Sequence, residues 1–326
     1  VTMQPVSMAD VGKGNSMLEI STTALLPTPV RALLIDDPAE ILGFAVECFR
    51  EGAGVALATL VEIRGGAART LGSHVVVAAD GRFCGYVSGG CVEAAVAAEA
   101  LLAMEAGRDR TVLFGDGSPF MDIVLPCGGG ISVAIHLLRD VTGIERVLES
   151  LNGRQPMGLR YAPRHQSLDL VEAPPRAGWQ EDEFLTAYRP RTRLLISGQS
   201  IEAETVARLG KASGYDVVLT RAGAGKPVMT SQIDAYTAIV MLHHDLEQEI
   251  PVLEVALHSP GFYIGALGST RTHRHRVERL AALGYGDAEL RRIKAPIGVF
   301  GPARDSASLA LSVLADIAAS RLMSYG

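Results

Sequence analysis

The sequence has no block of clustered lysine and arginine, and its net charge is −6. A dedicated nucleic-acid binder draws its affinity from such clusters, so no nucleic-acid partner is expected. No apolar run approaches the ~20 residues needed to cross a bilayer, so no membrane span is expected. The first residues lack a charged segment leading into an apolar one, so no secretory signal is expected. There are four cysteines, Cys48, Cys84, Cys91 and Cys127, and no Cys-x-x-Cys. That spacing argues against a structural zinc knuckle. It fits reduced thiols in a cytoplasmic protein. Aromatics are few, with Trp179 the one tryptophan, while glycine reaches 35. Many tight loops in an α/β protein would use glycine this way.

The most informative segment is Ser88-Gly89-Gly90-Cys91-Val92-Glu93. It follows two strand-like runs (residues 74–79 and 82–87) around an Asp80-Gly81 turn, and leads into an apolar helix pattern over 92–106. A cysteine at a helix N-terminus meets unpaired N–H groups and the helix dipole, which favour a thiolate. The same groups suit an anion such as phosphate. Two readings stay open: a small residue fitting a tight turn, or a reactive thiol beside an anion site. A second cysteine turn, Cys127-Gly128-Gly129-Gly130, admits the same pair of readings. Cys48 and Cys84 are expected to be packing residues.

The length of 326 residues accommodates two domains. Residues 1–30 are expected to be a flexible leader, and 31–150 an N-terminal domain. Asp36-Asp37-Pro38 starts a helix there. Residues 151–190 carry five of the 16 prolines and are expected to be a connector with one or two short strands, such as 167–171. From 191 to 326 strands alternate with helices, which predicts a doubly wound parallel sheet. The first turn of that region, Gly198-Gln199-Ser200-Ile201-Glu202-Ala203, has serine where a dinucleotide fingerprint has its middle glycine. Glu202 adds negative charge, so ordinary NAD(P) binding is not expected. Gly265-Ala266-Leu267-Gly268-Ser269-Thr270-Arg271 suits a ligand better. Its glycines open the backbone, Ser269 offers a hydroxyl, and Arg271 a fork suited to phosphate. His243-His244-Asp245 follows another strand, and adjacent histidines point different ways.

In this order these segments resemble the xanthine dehydrogenase accessory factor family, XdhC/CoxI. The resemblance rests on Ser88 through Glu93, Cys127-Gly128-Gly129, Tyr263-Ile264-Gly265-Ala266-Leu267-Gly268-Ser269 and Ala295-Pro296-Ile297-Gly298. It implies an N-terminal α+β domain followed by a Rossmann-like domain. It also implies a molybdenum cofactor (molybdopterin) chaperone, a maturation factor more than an enzyme. Such a protein protects the cofactor, supports its sulfuration by a cysteine desulfurase and inserts it into an apo-molybdoenzyme of the xanthine dehydrogenase type, often as a homodimer. On this reading Cys91, with Cys127, approaches the molybdenum or its sulfur, as a soft thiolate can. Ser88, Gly89, Gly90, Gly128 and Gly129 shape a pocket, while Gly265, Gly268, Ser269 and Arg271 hold the pterin phosphate. Three segments depart from the family pattern. Gly198-Gln199-Ser200-Ile201-Glu202 stands for Gly-Ala-Gly-His-Val, and Leu242-His243-His244 for Thr-His-Asp. Phe300 and Pro302 replace an Asp and a Gly after Pro296. The alternatives are a sulfurtransferase-like protein carrying a persulfide on Cys91, and an NAD(P)-dependent oxidoreductase.

Overall fold

A computed structural model describes residues 26–116, 118, 128–220 and 232–325. The described N-terminal part is a six-stranded sheet between helices. Its strands are β1 (Val30–Arg31), β2 (Val55–Arg64), β3 (His74–Ala78), β4 (Arg82–Gly85), β5 (Arg110–Gly115) and β6 (Gly130–Leu137), in the order β1-β4-β3-β2-β6-β5. All its pairings are antiparallel except β1 with β4. Alternate side chains serve opposite faces. Val75 and Val77 pack beneath α2 (Glu93–Ala106). Val76 and Ala78 pack beneath α1 (Pro38–Arg50) and α3 (Thr142–Asn152). Helix α1 starts where the sequence signals it, with the Asp37 carboxylate accepting from Ala39 N and Glu40 N. Cys48 and Cys84 are buried in that second core, and burial raises both thiols, Cys84 to about 12.

The expected connector contains more than one or two short strands. β7 (Met157–Ala162), β8 (Ser167–Val171), β9 (Gly178–Gln180) and β10 (Glu183–Tyr188) form an antiparallel sheet, in the order β8-β7-β10-β9. Its prolines, Pro156, Pro163, Pro174, Pro175 and Pro190, all lie just outside these strands. Proline cannot donate to a ladder, so here it punctuates the strands instead of abolishing them. Tyr161 and Phe184 close a core with Val61 and Ala134 of the first sheet. The β2–β6 register shifts between Leu60 and Glu62, and the carbonyl of Val61 there accepts from Trp179 Nε1 at 3.0 Å.

The C-terminal part is a parallel sheet of β11 (Arg193–Ser197), β12 (Asp216–Thr220), β13 (Thr237–Met241), β14 (Tyr263–Ala266) and β15 (Ile293–Lys294), in the order β12-β11-β13-β14-β15. Helices α4 (Ile201–Ala212) and α8 (Ser306–Tyr325) cover one face over Leu194, Ile196 and Val240. α5 (Leu246–Leu257) and α6 (Thr270–Ala282) cover the other over Leu195, Ile239 and Ile264. The doubly wound architecture is as the alternation predicted. A short helix α7 (Asp287–Leu290) precedes β15.

The expectation about membrane spans needs one amendment. α8 has 20 residues, and an 18-residue stretch of it has a mean hydropathy of 1.3, long and apolar enough to cross a bilayer. Its buried side chains Ala310, Val313 and Ile317 instead join the domain core, and its buried Asp316 pairs with Lys294.

Ion pairs join the parts. Arg191 bonds Asp37 at 2.8 Å and also reaches Glu40. Arg154 bonds Asp234 and Asp216.

Candidate functional site

Two separate places carry the residues singled out by the sequence. The first is the turn between β4 and α2. Glu93 is wholly buried at the first position of α2. Its carboxylate folds back and accepts from Val87 N at 3.1 Å, Ser88 N at 2.7 Å and Ser88 Oγ at 2.9 Å. Ser88 is buried, and its Oγ accepts from Gly90 N at 3.2 Å and lies 3.4 Å from Cys91 Sγ. Gly89, Gly90 and Cys91 are exposed. Gly90 has a φ of 108°, which only glycine adopts readily, and a Cβ there would meet nothing. The turn thus presents a bare backbone and a thiol, fixed from below by a buried carboxylate.

That order of groups has a chemical consequence. Ser88 has one hydroxyl proton, and the Glu93 carboxylate takes it. The Ser88 oxygen then faces Cys91 with a lone pair. The Cys91 thiol can therefore donate to the Ser88 oxygen at 3.4 Å, which holds Sγ in one position over the turn. Sequence reading quoted Glu93 but gave it no role. An acidic residue one turn after a serine, at the first helical position, was the available signal.

Residues 65–70 form a shared wall. Arg69 Nε donates to Ser88 O at 3.4 Å, and its guanidinium lies 5.0 Å from the centre of the Tyr86 ring. Ala68 Cβ would sit 3.7 Å from a Cβ on Gly89. At the other end, a Cβ on Gly129 would stand 2.4 Å from Arg64 O and 2.9 Å from Gly66 O. One loop therefore touches both predicted glycine turns. Gly128 has a φ of 67°, while Cys127 lies outside the described residues.

The second place is the carboxyl edge of the parallel sheet. Ligands usually enter such a sheet at the switch in strand order, here between β11 and β13. That crevice is closed. Ser197 Oγ lies 2.8 Å from His243 Nε2, and both are buried. Burial holds the His243 pKa below its ordinary value. A Cβ on Gly198 would meet Leu242 O at 2.7 Å. Ser200 caps α4 with its own hydroxyl. Glu202 beside it is held below the usual carboxylate range by the Ser200 hydroxyl. His244 turns the opposite way from His243, to 4.0 Å from Glu202.

Space opens farther along the edge. A cavity of about 730 Å³ lies between Glu202 and His244, the Leu267–Thr270 segment and a strap over residues 296–305. Gly268 (φ 131°) and Ser269 are on its wall. Gly265 and Arg271 are not. Gly265 is inside β14, where Ile297 Cδ1 would be 2.5 Å from a Cβ. Arg271 is exposed and has no ion-pair partner among the described residues. The guanidinium that supports this loop is that of Arg276, which is wholly buried, donates to Leu267 O at 2.7 Å and pairs with both Glu249 oxygens. The strap is pinned by α8. Asp316 accepts from Gly298 N at 3.3 Å and Tyr263 OH at 2.6 Å, and Ser312 Oγ bonds both Phe300 N and Phe300 O. Neither Cys91 nor Gly89 lines this cavity. Sequence reading quoted Pro296, Phe300 and Pro302 of the strap but gave them no role in a site, because the cavity wall joins segments distant in the chain. Among the described residues no group of three or more His, Cys, Asp or Glu side chains is arranged to hold a metal ion.

Comparison with known proteins agrees with this layout. Residues 194–317 match the XdhC Rossmann domain, and residues 48–115 match the XdhC and CoxI family. The chain is 50% identical over 294 residues to the molybdenum cofactor insertion chaperone PaoD of Escherichia coli (strain K12), covering 90% of this chain and 92% of that one. A crystal structure of a xanthine dehydrogenase from Bacillus halodurans has the same fold, with a TM-score of 0.68 at 18% identity, over 88% of this chain and 96% of that one.

Proposed function

The chain belongs to the XdhC and CoxI family, and we propose that it is a molybdenum cofactor chaperone that delivers the cofactor to a molybdoenzyme. The observation that carries this reading is the exposed Cys91 thiol on a turn fixed by the buried Glu93. A cargo carrier needs a soft ligand that is accessible and returns to one position. Bound there, the molybdenum centre would accept a soft sulfur ligand, and the chain supplies one in the exposed Cys91. Glycines at 89 and 90 let a bulky cargo approach the backbone, and the 65–70 loop walls one side. Residues 31–150 hold the metal end and 191–326 the organic end, through Gly268 and Ser269. Cys127 joins Cys91 in the proposed contact set.

The same proposal includes a client of the xanthine dehydrogenase type, a cysteine desulfurase that supplies the terminal sulfur, and a cytoplasmic homodimer. The accessible thiol also favours a second reading, a persulfide carried on Cys91. Mass spectrometry after incubation with a desulfurase and cysteine distinguishes them: added sulfur on Cys91 supports the carrier reading, and an unmodified Cys91 removes it. An oxidoreductase is disfavoured, because Ser200 and Glu202 occupy the place a pyrophosphate would need. The test of the chaperone reading is transfer. Wild type should raise the active fraction of apo-molybdoenzyme, and Cys91→Ala should lose most of that gain while unfolding normally. Equal transfer by both would refute the role of Cys91.

A further inference from the structure

The strap cavity is lined by groups of both charges, the Arg304 guanidinium and the Glu202 carboxylate, together with an aromatic ring. Glu202 places an ionised carboxylate on its wall, and a carboxylate accepts hydrogen bonds without donating. Phe300 lines the same cavity, yet its side chain is left largely uncovered, at 55% exposure. Its backbone is not loose: Ser312 Oγ holds Phe300 N at 3.0 Å and Phe300 O at 2.8 Å. An aromatic ring on a pinned backbone at a cavity mouth is a platform for a planar ligand. Leu267, Ile297 and Leu309 supply apolar wall, and the volume suits a small heterocycle. Glu202, His244, Phe300 and Pro302, four of the positions that depart from the family pattern, all meet here.

We propose that this cavity binds a planar 2-amino-4-oxopyrimidine ring, the group shared by pterins and guanine, stacked on Phe300 with its ring N–H and amino donors on the Glu202 carboxylate. Two adjacent donors match two carboxylate oxygens, and this ring edge carries such a pair. Cytosine offers one donor beside an acceptor, which a carboxylate repels. Assigning the ring to the cofactor's pterin rests on the chaperone reading; the cavity's choice of ring does not.

The test is equilibrium binding of free pterin, guanosine and cytidine to the full chain, its Glu202→Gln variant and its Phe300→Ala variant. Thermal melts check that each variant is folded. Wild type should bind pterin, guanosine or both, and exclude cytidine. Each variant should bind at least tenfold more weakly. Pterin alone points to the cofactor's own ring, and guanosine alone to a nucleotide; either supports the proposal. No binding of either ring overturns it, as does cytidine binding equally well, or folded variants that bind like wild type. Intact molybdenum cofactor is measured in parallel. Loss of cofactor binding with ring binding kept would sink the chaperone reading and leave this one standing.

Discussion

The Cys91 turn and the strap cavity solve the same problem, holding a loop still, at different ranges along the chain. At the turn the main support comes from within a few residues: Glu93 reaches back to Val87 and Ser88, with Arg69 adding one longer bond to Ser88 O. At the cavity the supports are remote. Arg276 and Glu249 brace Leu267, while Asp316 and Ser312 on α8 brace the strap. A reactive atom needs a fixed position, which local bonds can give. A volume needs walls, which only distant segments can supply. The two places should therefore fail differently when perturbed.

The largest effect is expected at the remote brace. Arg276→Met leaves Glu249 buried without its counter-ion and should cost about 3–5 kcal/mol in urea unfolding. Adding Glu249→Leu should recover much of that loss. No recovery would mean that the pair has a role other than charge balance.

Acid should weaken the N-terminal half. His74 is buried between Thr59 Oγ1 at 3.0 Å and Tyr188 OH at 2.6 Å, and burial lowers it from 6.5 to about 4. The unfolded chain then binds the extra proton between those values. This contribution is complete above pH 6.5 and is lost as pH falls through about 4. The loss is about 3 kcal/mol. Urea midpoints at pH 7 and pH 5 should differ less in His74→Gln than in wild type.

The local brace comes next. Glu93→Ala strands Val87 N and Ser88 N without an acceptor and should cost about 2–3 kcal/mol. It should also change the rate of Cys91 alkylation, which Arg276→Met should not. Ser312→Ala removes the two side-chain hydrogen bonds to Phe300 and should cost about 1 kcal/mol. Its proteolysis should begin within 296–305. Cleavage elsewhere would mean that the Asp316 bond to Gly298 N is anchor enough.

What the sequence disclosed follows the same division. The turn was legible because Ser88 to Glu93 is contiguous, and a cysteine among glycines before an apolar helix has few physical explanations. The parallel sheet was legible because its buried strands are short apolar runs between amphipathic helices. β11 and β12 are two such runs, over 193–197 and 216–220. The 157–188 sheet was obscured by prolines that mark strand ends and resemble linker composition. The cavity was obscured because Glu202, Gly268 and Phe300 meet only in three dimensions. Arg271 drew attention over Arg276 because an exposed and a buried arginine look alike in one dimension.

The smallest effect on stability belongs to the residue proposed to matter most. Cys91 is exposed, so Cys91→Ala should stay within about 0.5 kcal/mol of wild type. Anaerobic equilibrium binding of isolated molybdenum cofactor to wild type and Cys91→Ala is then the direct test of the central claim. Tight binding by wild type, weakened at least tenfold in a normally folded Cys91→Ala, is the predicted result. Equally tight binding by both proteins would contradict it and move the cargo contact away from the turn.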